Sequence, residues 1–173
     1  MGDETQSPGA TVVVDSDVFR DALRNFPAGV TIVTAADASG ALFGATVSAF
    51  ASLSLDPPLV LVCLTRSSRS TAAIRERGAY VVHFLDQRQA TLARRFATDS
   101  ADKFADTEYS LNDDGVPCLD DCSLLLECKL QAEYDGGDHL VLVGLVTSAR
   151  RCDEFEPLVY AKRSFHALGS QVG

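Results

Sequence analysis

The stretch from Gly44 to Leu64, GATVSAFASLSLDPPLVLVCL, decides how the rest of the chain is read. At period two, Thr46, Ser48, Phe50, Ser52 and Ser54 share one face of an extended segment, with Val47, Ala49, Ala51, Leu53 and Leu55 on the other. The first face can donate hydrogen bonds, to a ligand or merely to water, while the second packs. Asp56-Pro57-Pro58 forces extended backbone and forbids helix. Beyond it, Leu59 to Leu64 is continuously apolar and rich in strand formers, which predicts a strand buried on both faces.

N-terminal to this stretch, Val30 to Ala36 reads as a strand, Asp37 to Gly40 as a turn, and Leu42 to Ser48 as the hairpin partner. Ser16 can cap an amphipathic helix in which Phe19, Ala22, Leu23 and Phe26 recur at helical spacing until Pro27 and Gly29 stop it. Residues 1–15 read as a flexible arm and 16–173 as one domain.

C-terminal to it, TRSSRST at Thr65 to Thr71 leads into a short helix ended by Gly78. A helix N-terminus attracts anions, and Ser67, Ser70, Thr71, Arg66 and Arg69 could add donors. Equally, Ser70 could only cap the helix and the arginines be solvated. Ala79 to Leu85 reads as a buried strand, followed by an Asp86-capped helix whose Leu92, Ala93 and Phe96 share a face. Thr98 to Asp121 is acidic and expected to be irregular; within it lies Asp102-Lys103-Phe104, whose lysine either meets a phosphate or stays exposed. Two long strands, about 123–134 and 139–149, flank Asp135-Gly136-Gly137-Asp138, a strong hairpin signal. Leu158 to Tyr160 and Phe165 to Leu168 return as final strands.

This succession predicts a mainly β, antiparallel barrel with short helices. With 46% apolar and 23% charged residues, the 173-residue chain has the composition of a soluble globular protein. Its formal charge of −9 argues against a nucleic-acid partner. No apolar run approaches the roughly 20 residues that cross a bilayer, and MGDETQSPGA lacks the pattern of a signal peptide, so no membrane association and a cytoplasmic location are expected. Five cysteines without a CxxC pair are expected to be reduced thiols, and His83, His139 and His166 have no metal-ligand spacing. There is no G-x-G-x-x-G, no P-loop and no G-x-S-x-G, which argues against a Rossmann site, a P-loop nucleotidase and an elbow hydrolase.

FRDALRNFPAGVTIVT (19–34), TVSAFASLSLDPPLVLVCL (46–64), RRFATDSADKF (94–104), LLECKL (125–130) and GDHLVLVGLV (137–146) together resemble the flavin reductase family. These are NAD(P)H:flavin oxidoreductases of the FMN-binding split β-barrel fold, antiparallel and Greek-key-like. The resemblance implies hydride transfer from NADH, or NADPH, to FMN or FAD, and delivery of reduced flavin to a partner monooxygenase or halogenase. Both reagents are cofactors, so such a protein needs to supply only orientation, dryness and electrostatics.

By the same resemblance, Thr46, Ser48 and Ala49 meet the flavin's phosphate and ribityl side, while Ser52 and Leu53 line the isoalloxazine with Cys63 beside them. Ser67, Ser70 and Thr71 hold phosphate, and Phe96, Lys103 and Phe104 close the far side. His139 is the catalytic candidate that meets the nicotinamide, with Tyr160 as a C-terminal contact. A homodimer with the site at the subunit interface is also implied. His83 stands where relatives often have Asn, and is either a core residue or a neighbour of the flavin ring. Two function classes stay open: a reductase releasing reduced flavin, and a split-barrel protein holding flavin tightly as an oxidase or store. A partner-docking subunit is a remoter third.

Overall fold

A computed structural model describes residues 13–100, 102–122, 124–151 and 153–169. Most of the expected N-terminal arm, the expected strand start at Ser123, and Cys152 lie outside the described residues. The elements in order are α1 (Ser16–Leu23), β1 (Ala28–Gly29), β2 (Thr31–Ala36), β3 (Leu42–Val47), β4 (Phe50–Leu55), β5 (Pro58–Thr65), α2 (Arg69–Arg77) and β6 (Ala79–Phe84). There follow α3 (Ala90–Phe96), β7 (Tyr109–Leu111), β8 (Pro117–Leu119), β9 (Leu124–Gly136), β10 (His139–Arg150), β11 (Val159–Ala161) and β12 (Ser164–His166).

Seven strands form one antiparallel sheet in the order β3-β2-β6-β9-β10-β5-β4. Its two edges, β3 and β4, are consecutive in the chain and separated by Ser48 and Ala49 alone. A flat seven-stranded sheet would hold its edges about 29 Å apart, at about 4.8 Å per strand. Three residue steps, from Val47 to Phe50, reach about 11 Å at most. The sheet therefore curls until its edges approach, giving a split barrel whose seam is the Ser48–Ala49 link. Cys63 N–H donates to the Ala49 carbonyl at 2.9 Å and pins that link to β5.

The seam corrects the continuous period-two strand expected across residues 46–54: the chain leaves one edge at Val47 and enters the other at Phe50. Inside the barrel lie Val33, Val60, Val62, Leu64, Tyr80, Val82 and Leu142, joined by Ala73 and Ile74 of α2. On the outer side of β2 and β6, Ile32, Ala93, Phe96 and Leu119 form a second cluster, and Val81, Val116, Cys118 and Leu125 a third. The strands buried on both faces are thus β2 and β6. β5, expected to be so, alternates: Val60, Val62 and Leu64 are at most 5% exposed while Leu59, Leu61 and Cys63 are half-buried. The reason is that α3 and β8 cover β2 and β6, whereas nothing in the described chain covers the outer face of β5.

Helix starts also differ from expectation. Asp15, not Ser16, caps α1 by accepting from Asp17 N–H at 2.8 Å. α1 buries none of its residues, and Phe19 and Phe26 are 55% and 72% exposed. The acidic segment after α3 contains the short β7–β8 hairpin inside otherwise irregular chain. β9 and β10 pair through the turn Gly137-Asp138, one residue later than the centre of the expected turn.

His83 proves to be a core residue. A backbone N–H can only donate and a carbonyl only accept, so Leu119 N–H, 3.0 Å from Nε2, and the Ile32 carbonyl, 3.1 Å from Nδ1, fix a neutral Nδ1–H imidazole. Burial is the chief cause that pushes its pKa from 6.5 down to about 4. The unfolded chain takes up this proton as pH falls below 6.5 and the folded chain does not until about 4. Folding stability is therefore lost across that window, by about 3 kcal/mol from this group, with no further loss below it. Urea unfolding of His83→Asn and the parent between pH 8 and pH 4 checks this: the difference between the two curves should change between about pH 6.5 and pH 4 and be flat above pH 7.

Candidate functional site

Two adjoining concavities of about 460 and 230 Å³ share Ala45, Thr46, Thr65 and Ser68 and form one groove along β3 and past the seam. The larger lobe lies between β3, the start of α2, residues 96–100, Lys103 and Phe104. The smaller is bounded by Ser48, Ala49, Cys63 and His139. The barrel's closure is what brings these segments together: β5 and β10 are neighbours in the sheet, and β3, at the opposite edge, meets them only because the edges of the sheet do.

At the centre sits the first turn of α2. Ser68, rather than Ser70, is its cap: Ser68 Oγ accepts Thr71 N–H at 3.0 Å. Thr71 Oγ1 donates to the Thr65 carbonyl at 2.9 Å and is 1% exposed, so this hydroxyl shapes the loop and has no face toward the groove. The first-turn N–H groups of Arg69 and Ser70 have no acceptor within the helix, and their residues line the larger lobe. With the positive end of the helix behind them they suit an anion such as phosphate. Arg69 adds a guanidinium, held 5.9 Å over the Phe43 ring.

The far wall is built on a glycine. A Cβ at Gly44 would lie 2.6 Å from the Phe96 ring, and Phe96 in turn meets Phe104 edge to face at 5.2 Å. Lys103 Nζ donates to the Gly44 carbonyl at 2.8 Å and the Phe96 carbonyl at 3.1 Å, stapling the loop to β3. Of its three N–H donors one is left over for the lobe it lines. Burial lowers its pKa. Thr46 Oγ1 is committed to the Ala93 carbonyl at 2.6 Å, tying β3 to α3.

At the other end, His139 pairs with Thr65 across β10 and β5. Its Nδ1 lies 2.7 Å from Asp138 Oδ1, and its Nε2 3.5 Å from Thr65 Oγ1 at the groove. That bond to His139 is the main cause lowering the Asp138 pKa. Gly137 turns the chain with φ of +76°, a conformation glycine adopts without strain.

A family described as the flavin reductase like domain matches residues 23–169. The chain belongs to this family. It is 40% identical to the actinorhodin polyketide dimerase of Streptomyces coelicolor over 94% of its own length and 92% of that protein's. It is 38% identical to HsaB of Rhodococcus jostii, the reductase subunit of a flavin-dependent monooxygenase, over 92% of its own length and 81% of the relative's. Its fold matches that of the NADH:FAD oxidoreductase SgcE6 of Streptomyces globisporus, solved with NAD and FAD fragments. That likeness has a TM-score of 0.85 at 30% identity and covers 94% of this chain and all of that one.

Of the residues the flavin reductase resemblance implies, Thr46, Ser48, Ala49, Cys63, Ser67, Ser70, Phe96, Lys103, Phe104 and His139 all border the one groove. Thr71 sits beneath it. Ser52 and Leu53 lie on β4 past the seam, outside the groove lining, and Tyr160 lies on β11 against Phe165, ring centroids 5.4 Å apart. Sequence reasoning did not single out Thr65, Ser68 or Gly44. The Ser68–Thr71 spacing, a hydroxyl three residues before another at a helix start, was a signal for the cap; Gly44 gave none.

The two kinds of hydroxyl separate experimentally. Thr71→Val should cost about 0.5–1.5 kcal/mol of stability with no flavin present, since a buried hydroxyl loses its bonds to the Thr65 carbonyl and Ser68 Oγ. Ser48→Ala, at an exposed position, should unfold like the parent yet bind FMN or FAD several-fold more weakly. Thermal melts and flavin fluorescence titrations of both variants measure this.

Proposed function

We propose that this chain is the reductase component of a two-component system, taking hydride from NADH to FMN or FAD and handing reduced flavin to a separate monooxygenase or halogenase. The observation that carries the reading is the single groove with a helix start suited to an anion at its centre and His139 at one end. Relatives named as a reductase subunit and an NADH:FAD oxidoreductase support it.

The groove suits a flavin phosphate on chemical grounds: unshared backbone N–H groups at Arg69 and Ser70, one spare Lys103 N–H, and an arginine, in a chain of net charge −9. The flavin, when bound, supplies the hydride acceptor itself. The chain's part is to orient and to exclude water. Lys103 and Phe96 hold the wall against Gly44, the backbone at Ser48 and Ala49 offers polar groups at the seam, and His139 Nε2 presents a hydrogen-bonding atom where the dihydronicotinamide carboxamide would lie.

A homodimer belongs to the same reading. The outer face of β5, the apolar side of α1, Leu53 at 49% and Leu55 at 94% exposure are uncovered in one chain. A second copy covering them would bring Ser52, Leu53 and Tyr160 toward a groove. Light scattering should give a mass near twice 18.5 kDa.

A relative named as a polyketide dimerase keeps a second reading in play, a split-barrel protein that holds flavin tightly for another reaction. Mixing the protein with NADH and free flavin decides between them: loss of the nicotinamide absorbance with catalytic flavin supports the reductase, and a static spectrum supports the alternative. In the reductase, His139→Ala should keep flavin affinity within about twofold and slow flavin reduction or raise the KM for NADH by about tenfold or more. Stopped-flow reduction as fast as the parent's at every NADH concentration would remove His139 from the site.

A further inference from the structure

We propose that Arg66 is a positioning residue, a clasp that holds the Asp135–Asp138 turn so that Asp138 can orient His139 toward the groove. The proposal rests on the reading of His139 as the group that meets the nicotinamide. In the run Thr65 to Arg69, Thr65, Ser67, Ser68 and Arg69 line the larger lobe and Arg66 does not. Its side chain leaves the groove for the tip of the β9–β10 hairpin. Nη2 donates to Asp135 Oδ1 at 2.8 Å and to the Gly137 carbonyl at 3.3 Å, and the Arg66 backbone N–H donates to the Asp138 carbonyl at 3.0 Å.

These bonds fall where the ladder ends. The last β5–β10 pair is Thr65 with His139, and the turn projects past it. Two of the turn's residues are glycines without side chains, and the side chains of Asp135 and Asp138 are 83% and 89% exposed. Among the described residues, Arg66 and His139 supply the side-chain donors that reach residues 135–138. An exposed pair such as Arg66–Asp135 adds little to stability, so its effect is on geometry.

The geometry matters through the imidazole. With Asp138 Oδ1 2.7 Å from Nδ1, neutral His139 carries its proton on Nδ1 and leaves the Nε2 lone pair facing Thr65 Oγ1 and the smaller lobe. Nε2 is then an acceptor, matched to a carboxamide N–H. Releasing the turn frees Asp138 to rotate away, and the imidazole samples both tautomers and other rotamers. Arg66 thus links the loop that opens α2 to the hairpin that carries His139.

The test uses the full chain with ¹⁵N-labelled histidine. Only three histidines contribute ring signals, and His139→Ala assigns the one of interest. In the flavin-free parent the His139 nitrogens should report Nδ1–H; in Arg66→Ala they should move toward a tautomer average, and in Arg66→Lys, which keeps donors for the turn, stay near the parent. In turnover, Arg66→Ala should raise the NADH KM about tenfold while the flavin Kd stays within about twofold. The double variant Arg66→Ala/His139→Ala should be no worse toward NADH than His139→Ala alone, because one residue acts through the other.

Unchanged ring nitrogens in Arg66→Ala, additive NADH effects, or a flavin Kd that weakens more than the NADH KM rises would each overturn the clasp, the last returning Arg66 to phosphate binding. If the tautomer shifts in Arg66→Ala while His139→Ala reduces flavin as the parent does, the positioning role falls together with the reading it rests on. If His139→Ala is impaired and the tautomer does not shift, the clasp alone falls.

Discussion

Two residues, Ser48 and Ala49, join the opposite edges of a seven-stranded sheet, and most of the architecture follows from how short that link is. It can be satisfied only by a curled sheet, and curling puts the end of β3 beside the end of β5 and the start of β10. α2, whose first turn leaves β5 through the Thr65–Ser68 loop, is packed into the mouth by Ala73 and Ile74. The groove is therefore a by-product of closure: it lies where a barrel cannot zip its seam because the chain itself crosses there. A polar, hydroxyl-bearing link is tolerated at that place because it faces an opening.

Few groove hydroxyls are free to meet a ligand. Thr46 donates to the Ala93 carbonyl and Ser68 accepts Thr71 N–H, while Thr71, beneath the groove, donates to the Thr65 carbonyl. These bonds tie down the wall, and in the proposed reading recognition would fall to backbone N–H groups at the start of α2, to exposed Ser48 and Ser67, and to the cations Arg69 and Lys103. Backbone donors cannot swing away or exchange rotamers, so a phosphate there is held at little entropic cost.

The strands, the α2 boundary at Gly78 and the Gly137 turn were legible because each rests on local signals: alternation, an αL glycine, a glycine-rich hairpin. The family resemblance then gathered ten candidate residues that do border one groove. What was not legible was long-range. Nothing local tells that residues 46–54 change sheet edges, because the alternation continues unbroken across Ser48 and Ala49. Nothing in Leu59 to Leu64 says which strand receives α3 as cover; β2 and β6 do, and β5 is left half open. Arg66 read as either a phosphate donor or a solvated arginine from its place beside Ser67, yet Asp135 at the hairpin tip, 69 residues away, takes its guanidinium. In Thr71 the sequence showed a hydroxyl in the right loop and could not show that it points inward.

Strongly shifted titrations usually mark active sites, and here they mark the core. His83, held near 4, and the thiols of Cys122 and Cys128, pushed up to about 12, owe their shifts first to burial and lie away from the groove lining. Beside the groove, burial lowers the Lys103 pKa and the bond to His139 lowers that of Asp138, and neither shift makes its group a proton donor or acceptor poised near neutrality. That distribution suits hydride transfer between two bound reagents. An acyl- or proton-transfer site needs a side chain tuned between two protonation states, whereas here the reacting atoms arrive with the cofactors and the barrier depends on their distance and alignment. Such chemistry asks a groove for fixed donors, for a firm wall and for a ring held in place; here Gly44 lets Phe96 approach, Lys103 staples the wall, and Asp138 lies 2.7 Å from the His139 ring.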